Sequence, residues 1–350
     1  MHRMLTFIVL MMLAAFSYAN NKPTVYLLAT GGTIAGAASS QTSTTYKAGS
    51  LTAEQIIASV PGIDNLANIK YEQVYNKDSG NVTLSDWLKL ANEVTKVIND
   101  PKVDAIVITH GTDTLEETAY FLDLVIKSKK PIVVVGSMRA ATAISADGPL
   151  NLYNAIAVAI NPQSTGRGVL VAMNEKIFAG REATKTHTTN VDTFQAPNSG
   201  PIGQVVMGKV RYNSSVARPN TINTPFNIED VKSLPSVAVI YEHAGVDTEM
   251  LDNILKTKSL KGIVIAGVGD GNIPDYEKNF LTEARKKGIV IVRSSRVGSG
   301  EVSYDYNNLD TTYNLIAGDD LNPQKARILL MLSLLTTSDV KQIQKNFYTY

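Results

Sequence analysis

Val25-Tyr26-Leu27-Leu28-Ala29-Thr30-Gly31-Gly32-Thr33 and Ala105-Ile106-Val107-Ile108-Thr109-His110-Gly111-Thr112-Asp113-Thr114 share one construction, an unbroken apolar run that ends in a threonine-bearing turn. Continuous Val- and Ile-rich runs mark parallel strands covered on both faces. In open α/β sheets, ligands bind and chemistry occurs at the carboxyl ends of such strands. The two turns therefore put hydroxyl nucleophile candidates, Thr33 and Thr112, where a site is expected.

Similar runs at 132–136 and 169–173 extend the first series. Thr114-Leu115-Glu116-Glu117 fits a capping box that opens a helix reaching Lys127, and Pro149 opens another that reaches Ile160. A second series of runs at 236–241, 262–266 and 288–292 alternates with helical patterns near 247–256, 274–287 and 322–335. Pro219, Pro225 and Pro235 punctuate the polar stretch between the series, which reads as a linker. The expected fold is α/β with two domains. The larger, over residues 20–212, has a mainly parallel sheet with flanking helices; a linker at 213–235 leads to a smaller parallel-sheet domain at 236–350. There is no internal repeat, and residues 37–49, small and polar, suit a mobile loop.

Composition narrows the function. The 350 residues, 44% hydrophobic and 19% charged, suffice for two or three domains. A net charge of +1 without a Lys/Arg run argues against a nucleic-acid or polyanion surface, so the partner expected is a small molecule. At the N-terminus, Arg3, the apolar stretch 7–16 and Ser17-Tyr18-Ala19 read as a secretory leader over residues 1–19, with the mature chain beginning near Asn20. That stretch is too short to span a bilayer, which takes about 20 apolar residues. Export to the periplasm, with no membrane attachment after leader removal, is the expectation. With no cysteine, disulfides, thiol catalysis and thiolate metal sites are excluded.

A threonine hydroxyl needs a base to take its proton and donors to hold the oxyanion it creates. Gly31 and Gly32 let the backbone approach a ligand beside Thr33. Alone, Thr-Gly-Gly-Thr also fits a turn that only reverses the chain, or a phosphate loop, although the Gly-Lys-Ser/Thr ending of a P-loop is missing. Thr112-Asp113 sets a carboxylate after a hydroxyl at a helix N-terminus, where it could bind a substrate ammonium or polarise a base; capping by Asp113 and Thr114 is the simpler alternative. Lys185, within Thr184-Lys185-Thr186-His187, is a general-base candidate if buried beside a hydroxyl and a solvated side chain otherwise. The four histidines, His2, His110, His187 and His243, lack zinc-hydrolase spacing, and no Gly-x-Ser-x-Gly elbow exists. His110 reads as a structural, hydrogen-bonded core group.

The motifs at 28–36, 108–119, 180–189, 293–297 and Leu321-Asn322-Pro323-Gln324-Lys325-Ala326-Arg327 together resemble the exported, type II bacterial L-asparaginases over essentially the whole mature chain. The resemblance implies hydrolysis of L-asparagine to L-aspartate and ammonia, without metal or cofactor, by a homotetramer built from intimate dimers. It implies that Thr33 is the primary nucleophile, assisted by Tyr46 on the 37–49 loop, and that Thr112, Lys185 and Asp113 form a second hydroxyl–base–acid group. Ser79 would bind the substrate α-carboxylate, Asp113 its α-ammonium, and the backbone N–H of Thr112 with a bound water the oxyanion. Asn272 would reach in from the neighbouring subunit.

Two positions depart from that pattern. Gly80 stands where the family usually has glutamine or glutamate, and Asn307 occupies the place of an intersubunit glutamate. Two ammonium partners are thereby lost, with Asp305 or Asp310 as the nearest carboxylates to replace them. L-glutamine is the weaker alternative substrate. A glutaminase-asparaginase of the same fold and a non-catalytic periplasmic amino-acid-binding protein are the competing readings; the second would need no paired threonines beside a lysine and would release no ammonia.

Overall fold

The computed structural model describes residues 22–350, so the leader expected over residues 1–19 lies outside the described residues. Fourteen strands are present among the described residues. The first five, β1 (Thr24–Gly31), β2 (Asn68–Lys77), β3 (Ala105–Thr109), β4 (Ile132–Val135) and β5 (Val169–Met173), pair in parallel in the order β5-β4-β3-β1-β2. Three antiparallel strands extend the β5 edge: β6 (Lys176–Ala179), β9 (Gly203–Val206) and β10 (Lys209–Tyr212). Between them, β7 (Thr184–Lys185) and β8 (Phe194–Gln195) form a separate two-stranded ladder. The second sheet is wholly parallel: β11 (Ser236–Tyr241), β12 (Leu260–Gly267), β13 (Val290–Ser295) and β14 (Ile316–Ala317), in that order. Two α/β sheets, the larger first, are what the apolar runs predict.

Every residue of β3, β4 and β5 is buried, as expected of central strands covered on both faces. Helices Leu84–Ile98, Leu115–Val125 and Gly148–Ala159 pack on the first sheet. Helix Pro323–Ser333 packs on β11, β12 and β13 and also on helix Leu115–Val125, so one apolar helix joins the two halves of the core. The join has a polar part too. Arg181, almost wholly buried, donates to Asp320 Oδ1 at 2.6 Å and to the Tyr350 carbonyl at 2.8 Å.

Elements that the apolar runs do not reveal lie at the periphery. β2 is an edge strand of mostly part-exposed or exposed residues, and β6, β9 and β10 are only four residues each. Residues 213–235 are strapped to the first sheet's helices: Phe226, Ile228 and Leu234 are buried, and Lys127 Nζ donates to the Thr224 and Thr221 carbonyls at 2.8 and 3.2 Å. The capping box expected at Thr114 does not form. Its hydroxyl instead donates to the Ser79 carbonyl at 2.9 Å, because that loop packs against the helix start, and the helix ends at Val125 rather than Lys127.

Two carboxyls are buried at the carboxyl edge of the second sheet. Glu242 follows β11 and Glu277 closes the 3-10 turn Asp275–Glu277; both are fully buried, and apart from each other they find no hydrogen-bond partner for their four oxygens among the described residues. They face each other, with His243 the neighbouring titratable group. Burial pushes the Glu277 carboxyl up to about 8, reinforced by its hydrogen bond and repulsion from Glu242, and burial raises Glu242 as well. The folded state thus holds a proton that the unfolded chain releases. Its stabilisation is complete below the ordinary glutamate range and is lost as pH rises through about 8. The melting temperature of the parent protein should therefore fall more between about pH 7 and pH 9 than that of Glu277→Gln, which needs no such proton. Parallel melting profiles over that range would contradict the shared-proton account.

Candidate active site

β1 and β3 are adjacent parallel strands, with Ala29 opposite Thr109, and the chain departs from them in opposite directions across the sheet. That is a topological switch point, where strand ends open a crevice. The two threonine turns meet there. Gly32 has φ 80°, which favours glycine, and a β-carbon on it would lie 2.3 Å from both N and Cα of Gly111. A β-carbon on Gly111 would lie 2.6 Å from Ser79 Oγ. Three loops thus converge because two of them lack side chains at the contact.

Thr33 opens a 3-10 turn, Thr33–Ala35, and is nearly buried. Its Oγ1 lies 2.7 Å from the Tyr46 hydroxyl. The loop carrying Tyr46 is closed over Thr33 by a bridge between Ala37 and Lys47, with N–H···O distances of 3.1 and 2.9 Å. A bond of 3.1 Å from the Gly49 N–H to the Gly32 carbonyl also holds it. The stretch read as a mobile loop lies closed over Thr33 and is bonded at both ends.

On the other turn, Lys185 Nζ donates to Thr112 Oγ1 at 3.0 Å and to Asp113 Oδ1 at 2.6 Å. Thr112 is buried and the Lys185 side chain is only 17% exposed, whereas that of Asp113 is 62% exposed. The lysine therefore touches a hydroxyl inside and a carboxylate that opens outward. Neither Asp113 nor Thr114 caps the helix with its side chain. The Asp113 N–H donates to Ser79 Oγ at 3.1 Å, leaving the serine proton free to meet an acceptor in the crevice. A cavity of about 390 Å³ opens beside Asp113 and Lys185, with Thr186, His187 and Thr188 on its wall.

His110 completes a relay behind this turn. The Gly111 carbonyl accepts from His110 Nδ1 at 2.8 Å, so Nε2 accepts the Thr118 hydroxyl at 3.0 Å; Thr118 Oγ1 in turn accepts the Trp87 indole N–H at 3.0 Å. Complete burial holds the imidazole pKa down to about 4, partly opposed by the Gly111 hydrogen bond. A neutral ring thus fixes the Gly111 carbonyl. The planar peptide then fixes the Thr112 N–H, which belongs to the same unit.

Of the other expected residues, Gly80 follows Ser79 in the 3-10 turn Ser79–Asn81, and Asn272 and Asn307 lie in loops of the second sheet. Gly80 is exposed, and a β-carbon there would meet only Asp78 Oδ1, at 3.7 Å. Asn272, expected to serve the neighbouring subunit's site, ends the hairpin after β12, paired with Val268. Asn307 is exposed in the left-handed region, φ 55°. Neither nearby carboxylate is free to replace a glutamate there. Asp310 is buried and bound by Arg293 Nε and Nη2 at 2.6 and 2.7 Å, and Asp305 accepts the Thr311 N–H and hydroxyl at 2.8 and 2.6 Å. The side chain that sequence reasoning missed is Glu116, which accepts the Lys185 N–H at 2.6 Å. Its only trace in the sequence is an acidic residue in the helix's first turn.

The chain matches two family models, "Asparaginase, N-terminal" over residues 24–218 and "Glutaminase/Asparaginase C-terminal domain" over residues 236–347. It is 49% identical to a probable periplasmic L-asparaginase of Haemophilus influenzae, covering 94% of this chain and 93% of that one. It is 45% identical to L-asparaginase 2 of Escherichia coli, over 94% and 93% of the two chains, and 45% identical to the glutaminase-asparaginase of Pseudomonas fluorescens biotype A, over 93% and 90%. Among solved structures, a probable cytoplasmic L-asparaginase from Campylobacter jejuni superposes with a TM-score of 0.91 at 46% identity, covering 94% of this chain and all of that one. With both models matched in order and relatives similar along nearly their whole length, the chain belongs to the asparaginase family.

Proposed function

We propose that this protein hydrolyses L-asparagine to L-aspartate and ammonia. The observation that carries the reading is the double contact of Lys185 Nζ with Thr112 Oγ1 and Asp113 Oδ1, in a turn packed against the one that bears Thr33, whose hydroxyl meets that of Tyr46. Thr33 Oγ attacks the side-chain amide carbon, Tyr46 receives and relays its proton, and the Thr112 N–H supports the oxyanion. The C–N bond breaks, ammonia leaves with a proton, and water then attacks the Thr33 ester to release aspartate and restore the hydroxyl. The Ser79 hydroxyl serves the substrate α-carboxylate.

Lys185 donates both of its bonds in the resting site, so it accepts the Thr112 proton only after losing one of its own. A substrate ammonium docking on the exposed Asp113 carboxylate competes with Lys185 for that carboxylate and leaves the lysine to Thr112. Substrate binding and activation of the second threonine are thereby linked.

Thr33→Ala and Lys185→Met should each lower kcat for ammonia release by at least about a hundredfold while leaving the melting temperature nearly unchanged, since each removes a reacting group and not a core contact. Normal turnover by either variant would overturn the reading.

Gly80 bears on substrate choice. A charge-assisted hydrogen bond is worth about 1.5–3 kcal/mol, so a missing ammonium contact weakens binding roughly tenfold to a hundredfold. Glutamine, with a longer side chain to position, suffers more from imperfect anchoring. Gly80→Gln has room for its β-carbon and should lower KM for asparagine; an unchanged KM would mean that another group already holds the ammonium. Asn307→Glu is the poorer test, because glutamate tolerates φ 55° less well than asparagine.

A further inference from the structure

We propose that Glu116 is a positioning residue for Lys185 and that, through Asn322 and Gln324, it makes the placement of that lysine depend on the docking of the second sheet's helix. The inference rests on the role given to Lys185 above.

Glu116 sits one turn below Thr112 and Asp113, in the first turn of helix Leu115–Val125, and is buried. Its Oε2 accepts the Lys185 backbone N–H at 2.6 Å. Its Oε1 accepts from Gln324 Nε2 and, at 3.3 Å, from Asn322 Nδ2. One carboxylate thus joins the helix that carries the hydroxyl–acid turn, the backbone of the lysine that completes it, and the start of helix Pro323–Ser333.

The partners have little freedom. Asn322 uses both ends of its amide: Oδ1 accepts the Lys325 N–H at 3.1 Å as the helix cap, which turns Nδ2 toward Glu116. Lys325, buried, reaches the same segment from behind, with Nζ donating to the Arg181 and Ala183 carbonyls, both at 2.6 Å. Apart from these grips, the backbone at Lys185 is held by the two-residue ladder of β7 with β8 and by its continuation from the Thr186 N–H to the Thr193 carbonyl at 2.8 Å, and a two-stranded ladder that short is marginal alone. The Lys185 ammonium must stay within hydrogen-bond reach of Thr112 for proton transfer, and small displacements of such groups are costly.

The test compares Glu116→Ala, Glu116→Gln and Gln324→Ala in the full-length protein, with Lys185→Met as reference, by steady-state kinetics and thermal melting. Glu116→Ala should lower kcat about tenfold or more with KM within about twofold, and Glu116→Gln, which keeps an acceptor for the Lys185 N–H, should recover part of the loss. Gln324→Ala should lose less, with the same split, and stands in if Glu116→Ala fails to fold. Unchanged kcat in the folded variants, a kcat loss no larger than the loss of folded protein, or no recovery with glutamine overturns the proposal. If Lys185→Met itself turns over normally, the proposed function fails instead; an inactive Lys185→Met beside a fully active Glu116→Ala sinks only this inference.

Discussion

The close approach of Gly32 to Gly111 is the constraint on which the site depends. A side chain on Gly32 would intrude into the backbone of the facing turn, and one on Gly111 would displace Ser79. Without side chains there, adjacent strands β1 and β3 can end in loops that touch, and the turns bearing Thr33, Thr112 and Ser79 meet. Strand adjacency supplies the coarse placement and the two glycines the fine one.

Around that contact, the fold separates rigid from responsive groups. Behind Thr112 lies a buried relay of Trp87, Thr118 and a neutral His110, which holds a peptide unit in place. In front lies Asp113, whose carboxylate is exposed but tied to Lys185, so a cationic group can compete for it. In the proposed reaction the held peptide unit at the back would serve a fixed oxyanion site and the carboxylate at the front a proton transfer coupled to substrate.

Much of this was legible in the sequence, because central parallel strands write themselves as unbroken Val and Ile runs and the threonine turns follow directly. β2 was not, since an edge strand with one wet side carries no apolar run. The capping box at Thr114 was misread for a related reason: the local pattern was right, but the loop of Ser79, thirty-five residues away in sequence, took the hydroxyl. Asp305 and Asp310 look available as carboxylates until Arg293 and Thr311 are seen to hold them. Glu116 was hidden most completely, because its partners lie sixty-nine and more than two hundred residues further along the chain. Long-range polar contacts leave almost no local mark.

The central claim is a division of labour in which Thr33 carries the acyl group and Thr112, with Lys185, serves the proton transfers. Acid quenching during turnover of asparagine, followed by proteolysis and mass spectrometry of the peptides bearing each threonine, tests it most directly. The account predicts an aspartyl ester on the Thr33 peptide; an ester on the Thr112 peptide with Thr33 unmodified would contradict it.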